Sequence, residues 1–396
     1  MGELRIPGRV NVHAYPSPIE HESRMLKETA VVVRSSLVDH VLLVGTSGAD
    51  LPERQELGTS RSVWRVPLTS TKWPSNIITR ILQIVEWHLR VLWGLRGLQV
   101  VSFSAHNLAT LPMGAIVKWM TGAKLVYDTH ELESARSSWP RWVQVAGLWL
   151  ERLLASWVDV TFVVSDSIGD WYRTNVPALR ALHVIRNYPE TTVPPTASWS
   201  ERPLRDAFGI RDDELLFLYQ GVIDEGRCVE LTLDVFAQAH PDRHLVFMGF
   251  FGGHDYGPLI REYMSKYPNI HYHPSVPPAD VLRHTRSADV GLYLIENLSL
   301  SYRLTVGNKV YEYLVSGIPV ITSAYPDVSR LVDDYGCGWK TENTVEDVLA
   351  IVNDVSREDV HQRRDGAVTH GARFQWRHEE ARLIEVYRDL LPAGRA

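Results

Sequence analysis

The sequence predicts an α/β protein in which parallel sheets are covered on both faces by helices, in two successive units. Three observations predict it. Short apolar runs alternate with longer amphipathic segments along nearly the whole chain of 396 residues. Most runs end in polar or glycine-bearing clusters, such as Asp128-Thr129-His130-Glu131 and Gln220-Gly221. Ligands of such sheets sit outside the carboxyl ends of the strands. A proline-rich stretch without period, residues 189–203, divides two such alternating series.

In the first series, strands are expected at 9–14, 38–44, 98–102, 124–127, 159–164 and 182–185. Helices are expected at 22–36, 74–94, 110–120 and 143–156. Residues 74–94 place Ile77, Ile78, Ile81, Leu82, Ile84, Val85, Leu89 and Leu92 at mixed threes and fours, the helical period. In the second series, strands are expected at 215–219, 244–248, 270–273 and 290–295. Helices are expected through 239, with Arg227 at the start of that one, at 259–266, 279–286 and 345–355, and over the amphipathic tail from 374 to 391.

Hydrophobic content of 45% suits a chain that buries a real core. A net charge of −6 argues against non-specific nucleic-acid binding, which needs a basic face. Cys228 and Cys337, far apart, make no disulfide framework and suit a reducing cytosol. Residues 1–16 lack the apolar core of a secretory signal, and no window reaches the apolar length of a membrane span.

Residues 299–321, SLSYRLTVGNKVYEYLVSGIPVI, carry the most chemistry. A loop ending in Gly307 and Asn308 enters a short helix. Gly317 stops it as a left-handed cap, Pro319 keeps it stopped, and Val320 and Ile321 begin a strand. A helix N-terminus attracts anions through its free N–H groups. Lys309 in the first turn adds a full charge, and Glu312 one turn on suits a diol. A solvated Lys–Glu pair is the plain alternative; the Gly-Asn entry and the Gly-x-Pro exit weigh against it.

This stretch resembles the donor-binding signature of GT-B glycosyltransferases close to family 4 of the retaining enzymes: Asn-Lys, then Glu-Tyr, then Gly-x-Pro-Val. It departs from the pattern in having Gly307 in place of a proline and Leu304 in place of a glutamate. The resemblance implies two Rossmann-like domains with parallel sheets facing a cleft. The domains would be residues 1–188 on the acceptor side and 204–372 for the nucleotide sugar, joined by linker 189–203. Residues 373–396 would be a C-terminal helix returning to the first domain. Lys309 would contact the donor diphosphate, Glu312 the ribose, Arg227 the diphosphate and Val276 the base through its main chain. Asn308, Gly221 and Gly249 would line the donor site, and Glu296 would stand near the sugar. Val222 stands where relatives often carry a further arginine.

His130, flanked by Asp128 and Glu131 at a strand end, is the catalytic candidate in the first domain, because a histidine among carboxylates can move protons or bind hydroxyls. The resemblance places it near the donor sugar and the acceptor. His271 and His273 alternate on a strand, half of a metal site at most, and no Asp-x-Asp motif accompanies them. Tryptophans 87, 93, 139, 142, 149, 157 and 171 gather in the first domain with Arg90, Arg96, Arg141 and Arg152. Such a set suits a membrane interface or an ordinary core with arginine stems laid along it.

The function expected is therefore transfer of a sugar from a nucleotide-diphosphate sugar to a hydroxyl acceptor, metal-independent and retaining, by a cytoplasmic or inner-face peripheral enzyme of polysaccharide biosynthesis. The acceptor would be a glycan, a lipid-linked saccharide or a small molecule. The alternatives are a nucleotide-sugar epimerase or hydrolase of the same fold, and a non-catalytic sugar-nucleotide or glycan-binding protein.

Overall fold

The structure, a computed structural model, describes residues 4–73, 77–137, 139–191 and 201–391. The first turn expected for the helix from residue 74 and most of the expected linker lie outside the described residues. The chain divides into two compact units: Met1–Arg186 with Glu379–Ala396, and Asn187–His378.

The first unit holds strands β1 (Arg9–Ala14), β2 (His40–Thr46), β3 (Arg54–Glu56), β4 (Arg61–Val66), β5 (Gln99–Ala105), β6 (Lys124–Asp128), β7 (Val160–Val163) and β8 (Leu182–Val184). They form one sheet in the order β3-β4-β2-β1-β5-β6-β7-β8. Every neighbouring pair is parallel except β3 with β4, a hairpin that sequence reasoning did not anticipate. On the central strand β1, Val10, Val12 and Ala14 are fully buried, and so are the polar Asn11 and His13 between them. Central parallel strands usually read as unbroken apolar runs. The polar residues of β1, with Ser102 and Ser104 of β5, therefore mark a polar seam inside the sheet's cover.

The second unit holds β9 (Leu215–Ile223), β10 (Arg243–Phe251), β11 (Ile270–Pro274), β12 (Val290–Tyr293), β13 (Val320–Ser323) and β14 (Gly338–Thr341). Their order is β11-β10-β9-β12-β13-β14, all parallel. That is the doubly wound order of a Rossmann sheet, whose ligand crevice opens where β9 meets β12. Leu216 and Leu218 pack on one face with Val310 and Leu314. Leu215, Phe217 and Tyr219 pack on the other with Val229, Leu233 and Phe236.

Strands β9 and β10 run longer than expected, so Gly221 and Gly249 are paired strand residues and not loop residues. A Cβ on Gly249 would fall 1.8 Å from the Gly221 carbonyl oxygen. Only a bare backbone permits this approach. Gly249→Ala is expected to push the end of β9 aside and to cost about 1–3 kcal/mol in a thermal melt. An unchanged melting temperature would show that the strand ends yield freely.

Helices Asp166–Asn175, Pro203–Phe208, Leu300–Leu304, Pro326–Tyr335 and Arg357–Gly371 were not anticipated. Two of them open on proline, which is a breaker inside a helix and well suited to its first position. The tail helix, Trp376–Leu390, enters the first unit from Glu379 onward. There the Tyr387 hydroxyl lies 3.0 Å from Ser104 Oγ on β5. Among the described residues no helix is long and apolar enough to cross a membrane.

Candidate active site

In the second unit the site is built on the helix Asn308–Val315, which follows β12. The Gly307 amide donates to the Tyr293 hydroxyl at 2.9 Å, and a Cβ there would meet the Tyr293 ring at 2.6 Å. The ring thus takes the place a larger residue would need. At the far end Gly317 has φ +71, and Gly317 and Ile318 return their amides to Leu314 and Tyr313. The Tyr313 hydroxyl accepts from the Gln220 amide at 3.1 Å and donates to the Leu218 carbonyl at 2.9 Å, hooking the helix onto β9.

This seating directs Lys309 to the open end of β9. Its ammonium stands 4.7 Å from the centre of the Tyr219 ring. Gly221 has φ +104, a conformation that favours glycine, and a Cβ there would meet Lys309 Cε at an ordinary 3.6 Å. Enclosure by protein, and then repulsion from Arg227, push the Lys309 pKa down to about 7, against a smaller opposing pull from Glu312. Among the described residues neither Lys309 nor Arg227 is ion-paired with a carboxylate. Glu312 accepts a short hydrogen bond from Gln220 Nε2, and the Gln220 Oε1 accepts from Thr285 at 2.6 Å.

Arg227 does not start a helix as the sequence suggests. It precedes Cys228, which has φ +51 and is the N-cap of the helix Val229–Gln238. The loop is held from two sides. Asp224 accepts the amides of Gly253 and His254, both at 3.0 Å. The Glu296 amide donates to the Gly226 carbonyl at 3.0 Å. Glu296 also lines a cleft of ≈ 320 Å³ with Asn297, Tyr325 and Asn343, outside the ends of β12, β13 and β14. Val276 follows β11, two strands away from β9 in the sheet order.

In the first unit the polar seam gathers Asp128 and His130 with three residues that sequence reasoning did not single out: His13, Arg24 and His106. His130 Nε2 lies 3.0 Å from His106 Nδ1 and 3.4 Å from Asp128 Oδ2. His106 Nδ1 is 2.9 Å from the same carboxylate oxygen, and His106 Nε2 is 2.7 Å from His13 Nδ1. Arg24 donates to Asp128 at 2.6 Å through Nη2 and lies 3.0 Å from Glu28. Burial alone would raise the Asp128 pKa; Arg24 and the two histidines override it and hold it well below the ordinary value. Burial disfavours charge on His13 and His106 and lowers the pKa of both. His130 is the member that reaches solvent, 21% exposed at its side chain, and Tyr15 stacks on it at 5.4 Å.

Glu131 does not join this cluster: it pairs with Arg136 at 3.0 Å. The missed residues were visible only as a polar interruption of β1 and as a histidine at the end of β5. Among the described residues two donor sets could hold a metal ion, His106 with Asp128 and His130, and His13 with Glu28 and His106. Neither had been noticed in the sequence. His271 joins no such set among the described residues; it lies between Phe208 and His244, stacked on both rings.

Residues 200–366 match the family model described as glycosyl transferases group 1. No match was found among curated proteins. Solved structures share the fold from end to end. Sucrose-phosphate synthase from Thermosynechococcus elongatus is 14% identical with a TM-score of 0.77, covering 98% of this chain and 100% of its own. Anabaena HepE, solved in complex with UDP-glucose, is 14% identical with a TM-score of 0.73, covering 97% and 100%. WaaG, a glycosyltransferase involved in lipopolysaccharide biosynthesis, is 16% identical with a TM-score of 0.62, covering 98% and 100%. The segment matched by the family model contains Arg227, Lys309 and Glu312, and the chain as a whole has the GT-B fold of these structures.

Proposed function

We propose that the chain transfers a sugar from a nucleotide-diphosphate sugar to a hydroxyl acceptor, with retention at the anomeric carbon. The observation that carries this reading is the pair Lys309 and Arg227: two cations close enough to repel, neither ion-paired with a carboxylate among the described residues, with Lys309 in the first turn of a helix. A diphosphate is the group that such a site lacks. The same charges would stabilise the departing nucleotide diphosphate, so the reading includes no metal at the diphosphate. Glu312, fixed by Gln220, offers its carboxylate to a ribose diol. Val276, Gly221, Gly249, Asn308 and Glu296 complete the donor side as the family resemblance suggests. Retention also rests on that resemblance.

His130 takes the acceptor side. It is the exposed end of a buried row, His13–His106–His130, that fixes its ring and supplies a carboxylate beneath it. It is suited to hydrogen-bond a hydroxyl while that hydroxyl attacks. The acceptor is proposed to be a lipid-linked saccharide or a glycan met at the inner face of a membrane.

The experiment is a panel of nucleotide-diphosphate sugars without added metal, scored by thermal stabilisation and then by product formation. One donor should stabilise wild type. His130→Ala should keep that stabilisation and lose at least a hundredfold in turnover. Loss of both together would make His130 structural, and free sugar released without acceptor would favour a hydrolase.

A further inference from the structure

Helices Ile77–Gly94, Leu111–Thr121 and Arg141–Leu154 of the first unit pack side by side and turn an apolar surface to solvent. On the first, the outward row is Ile81, Val85, Leu89 and Trp93, 48–63% exposed, while Thr79, Trp87 and Val91 face inward and are buried. On the third, the outward row is Trp142, Val145, Trp149 and Leu153, 52–71% exposed, with Gly147 and Glu151 inward. Trp119 on the middle helix is 74% exposed. The four exposed tryptophans of these helices alone present on the order of 400–600 Å² of ring. The largest patch on an ordinary monomer totals about 300–600 Å². This face exceeds that range once its aliphatic side chains are added.

The charge on these helices is predominantly positive. Their basic residues are Arg80, Arg90, Lys118, Arg141 and Arg152, and their acidic ones Glu86 and Glu151. Both acids are held by protein partners, Glu151 buried and Glu86 partly exposed. Glu151 accepts from the Tyr127 and Tyr172 hydroxyls. Glu86 accepts from Thr69 and Ser70 and pairs with Arg90, and Lys118 pairs with Asp159, so among the described residues the uncompensated cations are Arg80, Arg141 and Arg152. The whole chain carries −6, so the positive rim belongs to this face and not to the composition.

We infer that this face seats on an anionic lipid bilayer. The three helices lie in the boundary between headgroups and acyl chains, with Trp93, Trp119, Trp142 and Trp149 inserted and Arg141 and Arg152 at the lipid phosphates. The inference rests on the membrane contact proposed above and names its surface and its lipid. A second copy of the chain fits less well. A two-fold interface sets a patch against itself, and here that opposes arginines to arginines while both acids are already engaged.

The test is cosedimentation with vesicles of phosphatidylcholine, with and without phosphatidylglycerol. Wild type should bind the anionic vesicles at least tenfold more tightly than the neutral ones. Trp142→Glu with Trp149→Glu should lose at least tenfold on both. Arg141→Ala with Arg152→Ala should lose roughly twentyfold on anionic vesicles and little on neutral ones. All three proteins should share one melting temperature and one response to donor, because the changed side chains are exposed. Tryptophan variants that bind as wild type would overturn the face and leave the membrane contact standing. Wild type that binds neither vesicle would overturn both. A dimer that dissociates in Trp149→Glu without any vesicle binding would assign the face to a second copy.

Discussion

Lys309→Ala is expected to weaken binding of a nucleotide-diphosphate sugar roughly 10- to 100-fold, the worth of one charge-assisted contact in an enclosed site. The pH dependence distinguishes this role from a packing one. In the free protein the Lys309 pKa stands near 7, because enclosure and Arg227 disfavour its charge. A bound diphosphate restores that charge, so binding takes up a proton above neutrality. Wild-type affinity should be level below about pH 7 and should fall up to tenfold per pH unit above it. A diphosphate diester does not titrate in this range, so the slope belongs to the protein. Lys309→Arg should bind with no such slope. Wild-type affinity that stays level from pH 6 to 9 would sink the assignment. The unliganded protein shows the mirror effect. A lysine held below its unfolded value of about 10.4 disfavours the folded state wherever it is charged, so that stability rises with pH between about 7 and 10.4.

Arg24→Ala is expected to cost about 3–5 kcal/mol, since it strips a buried cation from two buried carboxylates. Arg24 is 4% exposed and binds Asp128, Glu28 and the Ile185 carbonyl. Asp128 would lose its main counter-charge, and burial would then raise its pKa above that of an unfolded aspartate. The deficit relative to wild type should therefore widen as pH rises from about 4, where the unfolded chain ionises and the variant resists ionising. A thermal melt should show the first-unit transition falling by about 6–20 °C. Arg24→Met, which keeps the stem, should fall nearly as far. A loss under 1 kcal/mol would mean that Asp128 has enough other support, and His130 would then owe its position to the histidines alone.

The helix that carries Lys309 and Glu312 was legible because its determinants are local. Asn308, Lys309, Glu312, Gly317 and Pro319 lie within a dozen residues, and helix period, cap and anion-binding terminus follow from short-range geometry. Gly221 and Gly249 were read as loop glycines because nothing local shows that their backbones meet across a ladder. Arg227 was placed on a helix because Cys228, a residue that rarely takes φ > 0, gives no sign of the left-handed turn that delays it.

The histidine cluster of the first unit needed the fold. His13, Arg24, His106 and Asp128 are separated by as many as 115 positions, and they meet because β1 lies between β2 and β5, with β6 beside β5. Strand order is set by crossovers, which no single strand encodes. The apolar helices make the same point. Periodicity in residues 77–94 shows that an apolar row exists, but it cannot say which row turns inward. Trp87 and Val91 found the sheet, and Ile81, Leu89 and Trp93 were left facing water. The sequence by itself determined the α/β alternation, the break between two units and the short helix that starts with Asn308 and Lys309. Tertiary structure alone decided which histidines meet, which carboxylate Arg24 neutralises and which apolar face stays uncovered, because each depends on what packs against it and not on what precedes it in the chain.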